Sequence, residues 1–379
     1  NLITTSWTRS SKVWLAGCML CFIGSGSYIF YQTNVFNTYV NAKDKLAWME
    51  QYEKQYSQYK DLPQPTITSV NFQVDVEPEQ RSYQAKAQLQ ITNQNAQPIS
   101  KILVNVLKQP HIEQSMQIKG AKLISYDAAY QSYWFALEPA MQANETRDVE
   151  LSLAVTHNAF AKLDGEHWVT KGGSYIELED VLPQFGFDSR YVISDEQERK
   201  SRGLAPSKLA IPSDRDQLAK EDRAHFEATL STPLASRQTM VTVGQLQRQW
   251  QQDGRQFFHY KTSNKVALQL AMISAQFAIK EARHNGVDIR LYRSPKHDKD
   301  DALVLDALTK TMDYFATHLQ AYPDKQFTVV ELPYFAKAQS FGSAQPGMYL
   351  GVENRFFNLD NRGAEKNPLL NGVSHEFAH

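Results

Sequence analysis

The chain has 379 residues, 42% hydrophobic and 11% aromatic, enough apolar material for the cores of two or more domains. Its formal charge of -1 gives no electrostatic case for a nucleic-acid partner. The two cysteines, Cys18 and Cys21, both fall in one apolar segment, so the rest of the chain has no disulfide framework open to it.

That segment, Val13 to Tyr31 (VWLAGCMLCFIGSGSYIFY), runs for 19 residues without a charge, long enough to cross a bilayer as a helix. Trp14 near one end and Tyr28 and Tyr31 at the other suit the two interfaces. Arg9 and Lys12 flank only the first end, which puts residue 1 in the cytoplasm and everything after about residue 31 outside it. A signal peptide is the competing reading, but the stretch is long, ends in aromatics and has no small-x-small cleavage pattern after it. Residues 1–40 are therefore expected to be a transmembrane helix with its flanks, with membrane lipid as partner.

Residues 41–65 read as a helical connector, in which Leu46, Met49, Tyr52, Tyr56 and Tyr59 recur at helical spacing and Leu62-Pro63-Gln64-Pro65 ends the helix. From Thr66 the period changes to two: Val70, Phe72, Val74 and Val76 alternate with polar residues, as do Tyr83 to Ile91, with a turn at Glu77-Pro78-Glu79-Gln80. Similar runs at Ile102–Val106, Tyr133–Leu137, Val149–Val155, Phe226–Leu230, Thr239–Val243, Phe257–Lys261 and Val266–Ile279 make residues 66–283 a β-rich domain, antiparallel and sandwich-like. The stretch from His167 to about Pro212 is irregular, and the charged run from Asp195 to Arg202 reads as a solvated helix or loop. His259 reads as a packed or surface histidine rather than a ligand.

The pattern changes again near Val287. Val287–Tyr292 is a strand, Asp301–Leu319 a helix with Leu303, Ala307, Met312, Phe315 and Leu319 on its apolar face, and Phe327–Leu332 a strand. The sequence then stops at His375-Glu376-Phe377-Ala378-His379, an H-E-x-x-H motif. On a helix the two histidines share a face one turn apart and reach one Zn2+ ion, while Glu376 stands ready to take a proton from the attacking water. Asn371-Gly372 reads as the start of that helix. Strand, helix, strand and metal helix, in residues 284–379, form the α+β start of a thermolysin-like catalytic domain. The chain begins at Asn1 and ends inside a motif, so it reads as an internal fragment, and the third zinc ligand is expected beyond His379. The fragment alone is expected to be inactive.

From Phe327 to His379 the sequence resembles the aminopeptidase N family of zinc peptidases, through H-E-F-A-H and through Val352-Glu353-Asn354, which is similar to the last letters of that family's G-A-M-E-N motif. The resemblance implies that Glu353 binds the free α-amine of a peptide substrate and that the backbone around Gly351 lines the peptide. Leu350, Gly351 and Val352 stand where the family has Gly, Ala and Met. The N-terminal part, including Ile29–Asn37 and Tyr52–Tyr56, resembles bacterial ABC-type permeases that carry an aminopeptidase-like domain outside the membrane. The primary expectation is thus a membrane-tethered zinc aminopeptidase. The alternative is an external peptidase-like module of an ABC-type transport permease, with transport or protein binding as its main role; no P-loop is present, so any ABC ATPase would be another chain or region.

Overall fold

The computed structural model describes residues 8–36, 40–106, 112–156, 168–206, 223–332, 342–352 and 368–378. Helix α1 (Arg9–Phe30) starts at Thr8, whose Oγ1 accepts from Ser11 N (3.2 Å), and widens into a π-helical turn, Tyr31–Phe36. There Thr33 Oγ1 and Asn34 Nδ2 donate to the carbonyls of Ile29 and Phe30, which the change of pitch would otherwise leave short of partners. Arg9–Phe36 is the one helix among the described residues long and apolar enough to cross a membrane, a property shared by membrane spans and signal sequences.

The strands follow in chain order as β1 (Thr66–Glu77), β2 (Ser82–Thr92), β3 (Ile99–Asn105), β4 (Ile112–Ile118), β5 (Ala121–Asp127), β6 (Ser132–Met141) and β7 (Thr146–Thr156). Next come β8 (Trp168–Thr170), β9 (Gly173–Glu177), β10 (Gln184–Phe185), β11 (Arg223–Pro233), β12 (Thr239–Val241), β13 (Gln245–Gln252) and β14 (Arg255–Lys261). The last are β15 (Val266–Ala267), β16 (Ala271–Ala275), β17 (Ala278–His284), β18 (Val287–Arg293), β19 (Gln326–Leu332), β20 (Gly342–Gln345) and β21 (Met348–Val352).

The largest sheet has the order β13-β14-β11-β1-β2-β7-β4, with β15 added on β11. The alternation read from the sequence sets its faces: Val70, Phe72, Val74 and Val76 are buried on β1, and Tyr83, Ala85, Ala87, Leu89 and Ile91 on β2. A second sheet, β10-β3-β6-β5, packs Ile102, Val104, Phe135 and Leu137 into the same core. The expectation of purely antiparallel pairing needs one correction. β1 and β11 run parallel, with Val70 opposite Phe226, so the sheet is mixed at its centre. A third sheet, β12-β16-β9-β8, completes the β-rich part.

The remaining helices are α2 (Ala42–Tyr56), α3 (Leu178–Val181), α4 (Glu196–Ser201), α5 (Asp301–His318) and α6 (Pro368–Ala378). On α2 the aromatic stripe is a packing face: Tyr52 and Tyr56 are buried with Leu103, Tyr130 and Tyr191, and Trp48, Tyr59, Trp134 and Phe187 close around them. Tyr52 Oη accepts from Asp188 N (2.9 Å) and Trp48 Nε1 donates to Ala129 O (2.9 Å). The charged run is a largely exposed helix, as expected, with one exception that anchors it. Arg199 on α4, only 3% exposed, donates to both oxygens of Glu53 at 2.6 and 2.9 Å and to the carbonyls of Ile193 and Ala205. A guanidinium is buried here because a carboxylate on α2 meets it in fork geometry.

The fourth sheet, β17-β18-β19-β21-β20, is parallel from β18 to β21 and antiparallel at both ends. Helix α5 makes the crossover between the parallel strands β18 and β19. One face, with Ile289, Leu291, Val329 and Tyr349, packs against Val304, Leu308 and Met312 of α5 and Val373 of α6. The opposite face, with Tyr292, Val330, Leu332, Met348 and Leu350, joins the β-rich core. The run Val266–Ile279, expected as one strand, is broken into β15, β16 and the start of β17 by a turn at Leu268–Leu270, closed by Leu270 N to Leu268 O (3.0 Å), and by a second break at Gln276–Phe277.

Candidate active site

Helix α6 begins at Pro368, so Asn371 and Gly372 lie inside it rather than at its start. Proline suits a first helical turn because its missing N–H has no helical partner there. The buried Val373 and the half-buried Phe377, four residues apart, fix the helix face. Phe377 rests 5.6, 5.4 and 5.2 Å between ring centroids from Phe315, Tyr322 and Phe327. Ser374 Oγ meets Thr311 Oγ1 of α5 at 2.8 Å. With that side committed, His375 is exposed and Glu376 sits at the boundary between core and cleft. His379 and Glu353 lie outside the described residues.

Gly351 is buried in β21, an interior strand, with Glu331 of β19 opposite it on one side and Gly342 of β20 on the other. The backbone expected to line a peptide at Gly351 is therefore inside the sheet, and β20 is the last strand on that side among the described residues. A methyl group built on Gly342 would stand 2.7 Å from Tyr349 Cε2, 3.2 Å from Leu350 O and 3.4 Å from Glu376 Oε1. The Tyr349 ring thus lies across the glycine, and the Glu376 carboxylate comes down beside both. Burial pushes the Tyr349 phenol well above its ordinary pKa, and the negative charge of Glu376 adds to the shift.

A cavity of about 1020 Å³ opens between this sheet and the β-rich part. Glu376 and Phe377 of α6 and Ser343 to Gln345 of β20 form one wall, and Glu177, Glu179, Arg223 and Lys265 bring four charges to the other. Gln345 Oε1 accepts from Ala271 N at 3.0 Å, which ties β20 to the β-rich side. A volume near the upper end of the range for ligand clefts suits an extended substrate. A second, smaller cavity of about 180 Å³ shares Glu179, Ala267 and Gln269 with the first.

On the helical face beyond Gly351 stands Glu331, 2% exposed, which accepts from Ser294 N (2.8 Å) and is bonded to His297 Nδ1, beside the Arg293–Asp301 pair. These contacts pin the segment that follows β18. Sequence pattern alone missed them, because Glu331 is embedded in an apolar strand and its partners are more than thirty positions away. His259, expected as a packed or surface residue, is half-buried on β14 and bonded to Glu227 Oε1 (2.8 Å).

Among the described residues no group of three or more His, Cys, Asp or Glu side chains is placed to hold a metal ion. The donor described on α6 is one exposed imidazole, that of His375, and the second histidine of the motif, His379, lies outside the described residues. One exposed imidazole on a helix fits a single ligand of a zinc ion, and a full set needs residues other than those described.

No family model matches the chain, and no curated protein matches it by sequence. Solved structures do match. The M1 zinc metallopeptidase of Deinococcus radiodurans aligns over 86% of this chain and 67% of its own, with a TM-score of 0.55 at 15% identity. The chain shares the fold of these enzymes. A mutant of the same enzyme aligns over 83% of this chain and 64% of its own, with a TM-score of 0.52 at 14% identity. Aminopeptidase A of Legionella pneumophila, in complex with aspartic acid, aligns over 85% of this chain but only 35% of its own, with a TM-score of 0.58 at 14% identity. The chain thus spans about two thirds or less of each relative.

Proposed function

We propose that the chain is part of a membrane-tethered zinc metallopeptidase, an aminopeptidase, with Glu376 as general base. The observation that carries this reading is the position of Glu376, the acidic residue of H-E-F-A-H, in the wall of a cleft beside a terminal β-strand of an M1-like fold. His375 and His379 would hold the zinc, together with a third ligand outside the described residues. Bound zinc would supply Lewis acidity to the scissile carbonyl and acidify the attacking water. Glu376 takes the proton from that water and returns it to the leaving amine. The outer edge of β20 pairs with an extended peptide through backbone groups, and Glu353 holds the free α-amine. Helix α1 is the tether, with α2 joining it to the β-rich part.

The test is zinc stoichiometry and hydrolysis of an aminoacyl reporter by the full-length protein. Glu376→Ala should lower kcat by about 10²–10⁴-fold with zinc retained. Undiminished hydrolysis would remove Glu376 from its role, and a wild type that binds no zinc would end the reading. A second reading, an external module of an ABC-type permease with a separate ATPase subunit, draws on the firm docking of α2, which follows the apolar helix in sequence. Several further apolar spans upstream of Asn1 in the gene would favour it.

A further inference from the structure

We infer that Lys265, with Arg223 beside it, receives a carboxylate of the peptide substrate, so that peptides carrying a carboxylate near the scissile bond are the favoured class. The inference deepens the zinc-peptidase reading and rests on it.

The strand register supplies the first observation. β15 pairs with β11 so that Ala267 is opposite Arg223 and Val266 opposite Ala224. Alternation puts residue 265 on the side of residue 267, which is the side of Arg223. Two cations therefore share one face of the β11–β15 ribbon, and both line the large cavity. The backbone leading to Lys265 is held in place. Thr262 N donates to Phe226 O (2.9 Å), Phe226 N to Thr262 Oγ1 (3.2 Å), and Asn264 Nδ2 reaches Asp324 Oδ1 at 3.5 Å. Like charges side by side on a sheet repel, and an anion bound between them relieves the repulsion.

The second observation is that Lys265 is available. Glu177, Glu179 and Asp324 line the same cavity, yet Lys265 closes no ion pair or hydrogen bond with any of them among the described residues. Glu177 accepts instead from Tyr175 Oη (2.7 Å). Glu177 and Glu179 belong to β9 and α3, so the charges of this wall are sorted by element, acids on one and cations on the other. Phe315, Tyr322 and Phe327 also line the cavity, and apolar walls strengthen the field of a fixed charge.

The third observation is where Glu376 stands, on the wall across the same cavity. At about 3.5 Å per extended residue, a cavity of about 1020 Å³ is roughly three residues across. A peptide cleaved beside Glu376 thus brings a group about one to three residues further on to the ribbon. The anion a peptide carries there is a carboxylate, of its C-terminus or of an acidic side chain, and a lysine ammonium donates to it in a charge-assisted hydrogen bond.

Hydrolysis of trialanine, trialanine amide and Ala-Ala-Asp amide by the full-length protein tests this. For wild type, kcat/KM for a carboxylate peptide should exceed that for trialanine amide about tenfold, mostly through KM, and the preference should shrink as salt is raised. Lys265→Gln should bring the ratio to within about twofold of one, whereas Lys265→Arg, which keeps the charge, should retain it. Preference for trialanine assigns the C-terminal carboxylate, and preference for Ala-Ala-Asp amide the side chain. A wild type that hydrolyses the amide as well as both acids overturns the inference, as does a preference that survives Lys265→Gln. If the wild type shows no zinc or no hydrolysis, the peptidase reading falls, and calorimetric titration with the same three peptides still decides the subsite. A Kd for the acids about tenfold below that for the amide, lost in Lys265→Gln, upholds it, and equal or undetectable binding overturns it.

Discussion

Replacing Glu53 by alanine tests whether α2 is clamped to the β-rich part. The guanidinium of Arg199 is 3% exposed and keeps two carbonyl partners, Ile193 O at 2.8 Å and Ala205 O at 2.7 Å, neither of which neutralises its charge. Removing one member of a buried ion pair typically destabilises by about 3–5 kcal/mol, and Glu53 retains 14% side-chain exposure, which places this pair at the low end, about 3 kcal/mol. The effect should fall first on α2, because that helix docks through one aromatic face, this buried pair and the more exposed Glu50–Arg202 pair. Native-state proteolysis of the segment between α2 and β1 measures it. A 3 kcal/mol loss raises the open population on the order of 100-fold, and the cleavage rate with it when reclosing is fast. Glu53→Gln, which keeps a hydrogen-bond acceptor, should fall between wild type and alanine. A rate increase below about threefold for Glu53→Ala would refute the clamp.

Gly244→Ala should destabilise by about 3 kcal/mol in urea unfolding, since φ is +92° and the new carbon would stand 2.7 Å from both Lys261 C and Lys261 O; a change below about 0.5 kcal/mol would contradict this local geometry. Glu227 is held below the ordinary carboxylate pKa, chiefly by the hydrogen bond from Lys261 and further by His259. Its folded pKa is depressed, so its contribution is present above the unfolded value of about 4.3 and is lost as pH falls through the lower folded value. The stability gap between wild type and Glu227→Gln should therefore be constant near neutral pH and shrink in acid. A gap that widens in acid would refute the assignment.

Where burial followed a simple period, the sequence was readable. Val70 to Val76 and Tyr83 to Ile91 alternate because one face of the sheet is core and the other solvent, and the α2 stripe recurs at helical spacing because one face is packed. Strands without such contrast escaped notice: β5 is exposed along nearly its whole length, and β13, QLQRQWQQ, owes its place to pairing with β14 rather than to apolar alternation. The parallel partner of β1 was equally hidden, since Val70 and Phe226 are distant in sequence and alternation does not specify a neighbour. At the site, H-E-x-x-H located α6 and Glu376, as a local motif on one helix can. That Gly342 has no room for a side chain follows from Tyr349 and Leu350 of the neighbouring strand, which only the folded sheet brings against it.

The parallel pairing of β1 with β11 also orders events in time. β2 can join β1 as soon as their hairpin has been synthesised, but β11 lies some 150 residues later. At translation rates of roughly 5–20 residues per second, the second edge of β1 waits on the order of ten to thirty seconds for its partner. During that interval a long strand with Val70, Phe72, Val74 and Val76 on one face offers an uncapped edge to any neighbouring chain. In the half-made sheet, pairing of that edge with another chain competes with the arrival of β11.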